Sequence, residues 1–69
     1  MNAKQMQYKG PSRDVVYNPW FRLVRGQVYN VEKHEMKSGK VRARVSDEDH
    51  ETVRLMYGNR REFDREWCR

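Results

Sequence analysis

An uninterrupted alternation of apolar and charged residues in the stretch VRARV, which begins at Val41, places the strongest constraint on the fold of this chain. In an extended strand, successive side chains point to opposite faces of the sheet. Val41, Ala43 and Val45 therefore share one face, and Arg42 and Arg44 share the other. We expect the first face to lie against a hydrophobic core and the arginines to meet water or a binding partner.

Two neighbouring stretches alternate in the same way. In QVYNVEKHEM, Tyr29 and Val31 fall on one face, and in TVRLMYG, Val53, Leu55 and Tyr57 fall on one face. The opposite faces would carry Val28, Asn30, Glu32 and His34 in the first stretch, and Thr52, Arg54 and Met56 in the second. Alternation over this length is typical of half-buried strands, so both stretches are expected to pair with VRARV.

An antiparallel sheet of at least four strands follows from these patterns. The stretch RDVVY, residues 13–17, has the β-branched and aromatic composition of another short strand, which Asn18-Pro19 should end. The segment WFRLVRG comes next and should end in a turn or bulge at Gly26. The expected interior residues are Tyr29, Val31, Val41, Ala43, Val45, Val53 and Leu55.

Polar turns separate the expected strands. Lys37-Ser38-Gly39-Lys40 should close a hairpin, because Gly39 can take the positive φ that such a turn requires. The polar segment SDEDHE, residues 46–51, should form the next turn, and Gly58-Asn59 signals a third.

The two ends of the chain are expected to differ. Residues 1–12, MNAKQMQYKGPS, show no sustained period and include a Gly-Pro pair, which favours a flexible arm. Near the other end, Phe63 and Trp67 are four residues apart, so a short helical turn would place both rings on one side, docked on the core. Asp64 is available to cap that turn.

Length and composition restrict the class of protein. The chain has 69 residues, and we expect residues 13–69 to form a single domain without a cleft between lobes. Cys68 is the one cysteine, which excludes an intrachain disulfide and a zinc site built on cysteine pairs and favours a reducing compartment. No apolar run approaches the roughly 20 residues of a membrane helix, and no secretion signal is present, so a cytoplasmic location is expected.

The run LVRGQVYNV, followed by a hairpin, a third strand and the terminal segment REFDREW, resembles the small SH3-like barrel proteins of phages and prophages. Their L-x-x-G-x-x-Y-x-V opening is matched here by Leu23, Gly26, Tyr29 and Val31. The resemblance covers roughly residues 13–67. It implies an all-β, five-stranded antiparallel barrel that ends in a short 3₁₀ or helical turn and a last strand, in a family largely without assigned activity. The chain departs from the family pattern in its long N-terminal arm and its arginine-rich strands.

The sequence offers little for catalysis or metal binding. His34 and His50 have no cysteine partner and no metal-binding spacing. Asp47, Asp49 and Glu51 alternate as in a calcium loop, but the glycine and the terminal glutamate of an EF-hand are missing, so a polar hairpin loop is favoured. The serines lack a base at an interpretable spacing. We therefore expect a protein that is not an enzyme and that holds neither a metal nor a cofactor.

Basic and aromatic residues form the set that stands out. The net charge is +5, of which residues 1–30 carry +4 and residues 31–69 carry +1. Arg42, Arg44 and Arg54 should project from the outer face of neighbouring strands, with basic turns around them. The candidate binding residues are Lys37, Lys40, Arg42, Arg44, Arg54, Arg60, Arg61, Trp20 and Tyr57.

These residues predict a binding module, acting as a monomer or weak dimer. SH3-like barrels present exposed strand edges and an aromatic groove, both of which accept an extended peptide, so binding to a protein partner is the first expectation. The resemblance implies an intracellular host or phage protein as that partner. Nucleic-acid binding through the basic face is the alternative, since such a face can neutralise phosphates. A solvated face with a purely structural role remains the third interpretation.

Overall fold

The computed structural model describes residues 3–15 and 18–68 as a mostly β protein with one short helix. Its elements, in chain order, are β1 (Lys4–Tyr8), β2 (Arg13–Val15), β3 (Asn18–Leu23), β4 (Val28–Glu35), β5 (Val41–Ser46), β6 (Thr52–Tyr57), α1 (Arg60–Glu66) and β7 (Trp67–Cys68). The last two positions of the strand predicted over residues 13–17, Val16 and Tyr17, lie outside the described residues, as do Met1, Asn2 and Arg69.

Five strands form one antiparallel sheet in the order β6-β5-β4-β1-β7, and β2 pairs with β3 in a separate hairpin. The prediction of an antiparallel all-β fold with at least four strands is confirmed. The predicted five-stranded barrel is not closed, because in the described part of the chain no ladder joins the edge strands β6 and β7. Helix α1 contacts both β6 and β7, so it connects the two edges of the sheet.

The register of the central strands matches the alternation in the sequence. Val31 lies opposite Val45, which lies opposite Val53, so these three side chains form one row across the core face. Six of the seven predicted interior residues are buried, and Leu55 is partly buried against them. Because a shift by one residue would exchange the two faces, this agreement fixes the pairing of β4, β5 and β6.

The prediction that residues 1–12 form a flexible arm is wrong for Lys4–Tyr8. This segment is β1, which lies between β4 and β7 and pairs with both. Tyr8 is fully buried, and its hydroxyl donates a 2.9 Å hydrogen bond to the carbonyl oxygen of Pro11. The polar residues of β1 concealed its role, because only every second side chain faces the core and one of these, Lys4, is itself charged.

Aromatic rings fill the end of the core nearest the helix. The Trp67 ring centroid lies 5.1 Å from that of Tyr8, 5.9 Å from that of Tyr29 and 6.4 Å from that of Phe63. Docking of Phe63 and Trp67, as predicted, is confirmed by their burial. Within the described residues, the core comprises Tyr8, Val15, Phe21, Leu23, Tyr29, Val31, Val41, Ala43, Val45, Val53, Tyr57, Phe63 and Trp67.

The two hairpins of the meander use the same turn. In the β4–β5 turn, the Gly39 amide donates to the Met36 carbonyl oxygen at 2.9 Å, and Gly39 has the predicted positive φ, 93°. In the β5–β6 turn, the His50 amide donates to the Asp47 carbonyl oxygen at 3.1 Å, and His50 has a φ of 64°. A three-residue hairpin loop requires this left-handed position, which glycine occupies without steric cost and histidine does not.

The N-cap of helix α1 is Asn59, not Asp64. The Asn59 side chain accepts a 2.9 Å hydrogen bond from the Glu62 amide, and the Glu62 carboxylate accepts one from the Gly58 amide at 3.0 Å. Asp64 lies within the helix, so the prediction that it caps the turn is wrong. The caps stabilise a helix of seven residues, which is too short to persist without packing on the sheet.

Candidate functional site

The five-stranded sheet has an outer face that points away from the core. Its side chains on the four longer strands are exposed or half-buried: Gln5, Gln7, Val28, Asn30, Glu32, His34, Arg42, Arg44, Ser46, Thr52, Arg54 and Met56. Antiparallel sheets commonly face solvent on one side, so openness alone does not make this face a site. Its chemistry depends on which side chains stand next to each other.

Arg42, Arg44 and Arg54 meet on this face as the sequence predicts, and we call them the arginine face. Arg44 lies directly opposite Arg54 across the β5–β6 ladder, and Arg42 is two residues from Arg44 on the same side. All three are exposed. Directly opposed side chains have Cβ atoms about 4.5–5.5 Å apart, so the charges of Arg44 and Arg54 repel each other, which destabilises the pair.

Glu32 is the acidic residue of the outer face within the described strands. It lies opposite Arg44 on the β4 side, and its Oε1 is 3.9 Å from the Arg44 Nη1, at the limit of an ion pair. Side chains this exposed gain little from such a contact, because water screens both charges. The arginine face therefore keeps a net positive charge.

The other predicted basic residues are divided between two places. Lys37 and Lys40 are exposed in the β4–β5 turn, at the end of the strand that carries Arg42. Arg60 and Arg61 lie in α1, and the Arg60 Nε is 3.6 Å from a carboxylate oxygen of Glu35. Glu35 shares the strand parity of the core residues, so Arg60 is directed to the opposite side of the sheet from the arginine face and does not extend it.

The predicted aromatic groove of Trp20 and Tyr57 is not present as proposed. Trp20, in β3, is 91% exposed, whereas Tyr57 is buried in the core. The Tyr57 hydroxyl donates to Glu66 Oε1 at 2.8 Å and accepts from Trp67 Nε1 at 2.9 Å. Tyr57 therefore has a structural role and cannot offer its ring to a ligand.

Burial raises the pKa of Tyr57 above its ordinary value, and Glu66 adds to the rise because a phenolate would lie beside its carboxylate. The hydrogen bond from Trp67 acts in the opposite direction. Arg13 contacts the same Glu66 oxygen at 3.1 Å and so partly neutralises it. This cluster ties β2, β6, α1 and β7 together around neutral Tyr57, which is a stabilising arrangement and not a reactive one.

A second cationic surface, which the sequence did not reveal, lies between α1 and the core side of β1 and β4. It is a cleft of about 420 Å³ with an apolar floor and three lysines at its rim: Lys4, Lys9 and Lys33. We call it the lysine cleft. Two of these lysines come from the segment interpreted as a flexible arm, and this interpretation hid the site. The sequence did contain one indication of this site. Lys33 is four residues after Tyr29, so the alternation of the strand places it on the same face as the core residues.

Residues 3–15 and 18–68 contain neither a cluster of metal-ligating side chains nor a membrane-spanning helix. No group of three or more His, Cys, Asp or Glu side chains in these segments is arranged to hold a metal ion. The same segments contain no helix with the length and apolar character needed to cross a bilayer.

No protein-family model matches the sequence, and comparisons with curated proteins and with solved structures gave no significant match.

Proposed function

We propose that this protein is a non-catalytic binding module whose arginine face binds an acidic surface of a protein partner. The observation that carries the proposal is the direct opposition of Arg44 and Arg54, with Arg42 beside them, on an open sheet face. Like charges directly opposite each other disfavour a ladder pair. A carboxylate bound between the two guanidinium groups could contact both, so the arrangement favours an anionic partner.

The chemistry of the arginine face suits carboxylates. A guanidinium group presents planar, paired N–H donors that match the two oxygens of a carboxylate, and it is weakly hydrated for a cation. An exposed apolar side chain stands beside the arginines, since Met56 is 57% exposed and lies opposite Arg42. A protein surface with acidic side chains around an apolar contact would complement this mixture.

Assignment of the fold to the SH3-like class is part of the proposal. It is supported by the five-stranded antiparallel sheet, by the helical turn of α1 before the last strand, and by the pairing of that strand with β1. The resemblance of the sequence to phage and prophage members of that class extends the proposal to an accessory protein that acts on a partner inside a bacterial cell.

Nucleic acid is the alternative ligand, and the basic turn with Lys37 and Lys40 next to Arg42 favours it, because phosphates would find several cations along one line. Single-stranded nucleic acid usually also requires rings on which bases stack. On the described outer face no Phe, Tyr or Trp is present, and Glu32 stands among the arginines. These features make an acidic protein the better match.

The test uses a short peptide rich in Glu and Asp and, separately, a short oligothymidylate, each titrated into the protein while backbone amide NMR signals are followed. We expect the peptide to shift signals of β4, β5 and β6. The variant Arg42→Gln/Arg44→Gln should weaken peptide binding about tenfold, since each exposed ion pair contributes up to about 1 kcal/mol. The control Arg25→Gln/Arg65→Gln removes the same charge elsewhere and should bind like the parent.

Equal peptide affinity in the folded Arg42→Gln/Arg44→Gln variant and in its control would refute the proposal. Binding of oligothymidylate in preference to the peptide, with an affinity that falls steeply with salt, would establish the alternative. Signal shifts confined to residues away from β4, β5 and β6 would place the site elsewhere.

A further inference from the structure

We infer that the lysine cleft binds small amphipathic anions, molecules with one carboxylate or similar acidic group on an apolar chain or ring. This inference does not depend on the arginine face, which lies on the other side of the sheet. It rests on the juxtaposition of an apolar aromatic floor with three lysines at its rim.

The floor is formed by side chains that belong to the core or pack against it: Met6, Val31, Phe63 and Trp67. Phe63 comes from α1, Trp67 from β7 and the other two from β1 and β4, so four elements of the fold contribute to the floor. Its volume of about 420 Å³ falls in the range of small-molecule sites, which run from about 300 to 1,000 Å³. An apolar chain or ring would contact partly exposed Met6 and the outermost atoms of the other three residues, which are 1–3% exposed.

The lysines owe their position to strand register. Lys4 lies directly opposite Val31, a core residue, and Lys33 is two residues beyond Val31 on the same strand, so both start from the core face of the sheet. The Lys33 ammonium lies 5.3 Å from the Phe63 ring centroid. Lys4, Lys9 and Lys33 are all exposed, so an anion from solution can reach their ammonium groups.

The charges around the cleft favour an anion. Three ammonium groups stand against one lining carboxylate, that of Asp64. Glu35 Oε2 is 3.9 Å from the Lys33 Nζ, but the same carboxylate also contacts Arg60 at 3.6 Å. The carboxylates near the cleft therefore do not balance its cations, and one anionic group at the rim would.

The probe is octanoate below its micellar concentration, with three comparison compounds. Octanol has the chain without the charge, acetate has the charge without the chain, and octylammonium reverses the charge. Binding is followed by fluorescence in a Trp20→Phe background, in which Trp67, on the cleft floor, is the remaining tryptophan. We expect octanoate to change the emission of Trp67 and to bind at least about tenfold more tightly than any of the three comparison compounds, because each lacks one of the two interactions.

Variants separate the role of charge from that of folding. Lys4→Gln/Lys9→Gln should weaken octanoate binding about tenfold, at up to about fivefold for each partly exposed ion pair. Asp64→Asn should strengthen binding two- to fivefold, because it removes a carboxylate that repels octanoate. Partial unfolding would weaken binding instead, so the two effects are distinguishable. Lys37→Gln/Lys40→Gln, which removes two lysines of the β4–β5 turn, is the matched control and should not alter the affinity.

Each remaining outcome overturns the inference. Octanol binding as tightly as octanoate would mean that the lysines have no role. Unchanged octanoate affinity in Lys4→Gln/Lys9→Gln, or weaker binding after Asp64→Asn in a folded protein, would exclude charge complementarity. Absence of octanoate binding, or amide signal shifts away from β1, β4 and α1, would show that the cleft is not a ligand site.

Discussion

The indole Nε1 of Trp67 donates a 2.9 Å hydrogen bond to the hydroxyl oxygen of Tyr57, which donates in turn to Glu66 at 2.8 Å. Both rings are buried, so neither polar group can turn to bulk water if its partner is removed. Buried donors and acceptors cost more when left unpaired than their hydrogen bonds contribute when made. The pair therefore links β6 to β7 with a specificity that apolar contacts alone would not provide.

Replacement Tyr57→Phe should lower the free energy of unfolding by about 1–3 kcal/mol, because it leaves the Trp67 N–H without its acceptor and removes one donor from Glu66. Urea unfolding of the variant measures this loss. Trp67→Phe and the double variant complete a cycle in which the two losses should be less than additive. Full additivity would show that the hydrogen bond does not couple the residues.

Alkaline pH should destabilise the protein through its buried tyrosines. Burial is the largest cause of a raised pKa in both Tyr57 and Tyr8. Both side chains therefore stay protonated in the folded state at a pH where the tyrosines of the unfolded chain ionise. Stability is fully present below the ordinary tyrosine pKa of about 10 and falls above it, by up to about 1.4 kcal/mol per pH unit for each proton involved.

Unfolding free energies measured from neutral to strongly alkaline pH test this effect. Tyr57→Phe should flatten the decline, with Tyr8 accounting for much of what remains. An equally steep decline in the variant would assign the effect to other groups.

Removal of the Trp67 side chain should be severe. Trp67→Ala should cost about 3–5 kcal/mol, as truncation of large core aromatics does, which is comparable to the whole stability of a small domain. Trp20→Ala is the matched control, since Trp20 is 91% exposed and its loss should change stability by less than about 0.5 kcal/mol. Thermal melting distinguishes the two, and equal melting temperatures would contradict the role of β7 in the core.

The β5–β6 turn should be improved by glycine. His50 holds a φ of 64° at the position that Gly39 occupies in the preceding hairpin. His50→Gly should raise the free energy of unfolding by about 0.5–1 kcal/mol. Glycine relieves the strain of the left-handed backbone, and this gain exceeds the loss that comes from the larger entropy of glycine in the unfolded chain. Gly39→Ala is the reciprocal change and should destabilise by about 1 kcal/mol or more. Chemical denaturation of both variants gives the comparison, and a less stable His50→Gly would contradict it.

Deletion of residues 1–8, which removes β1, should unfold the protein. The loss exposes the pairing edges of β4 and β7 and empties the space of fully buried Tyr8. Deletion of residues 1–3 leaves the strand and should give circular dichroism and melting close to those of the full chain. If the protein without residues 1–8 still folds, β1 is not required for the fold and the prediction is wrong.

Local alternation made part of the fold predictable. β4, β5 and β6 are recognisable because their apolar residues keep one parity, and the same parity places Arg42, Arg44 and Arg54 together on the outer face. Successive residues of a strand point to opposite faces of the sheet. A register that buries the apolar residues therefore also determines which side chains are exposed.

Long-range pairing was not predictable in this way. β1 contributes one fully buried residue, Tyr8, and is held by partners far along the chain, so its local sequence KQMQY resembles that of an exposed segment. The lysine cleft depends on that strand and could not be found without it. Tyr57 is a similar case. Its position in the alternation of β6 is that of a core residue, but the contacts with Glu66 and Trp67 that keep its ring from binding a ligand form only in the folded chain.

Placement of β1 between β4 and β7 also governs when the molecule can acquire its structure. Tyr8 lies opposite Trp67 in the ladder, so the first strand of the sheet has no complete set of neighbours until the last one has been synthesised. A nascent chain held at the ribosome before Trp67 emerges lacks this edge of the sheet and the ring that joins Tyr8, Tyr29 and Phe63. Folding is then a late, concerted event with high contact order, slower than that of a helical protein of similar length.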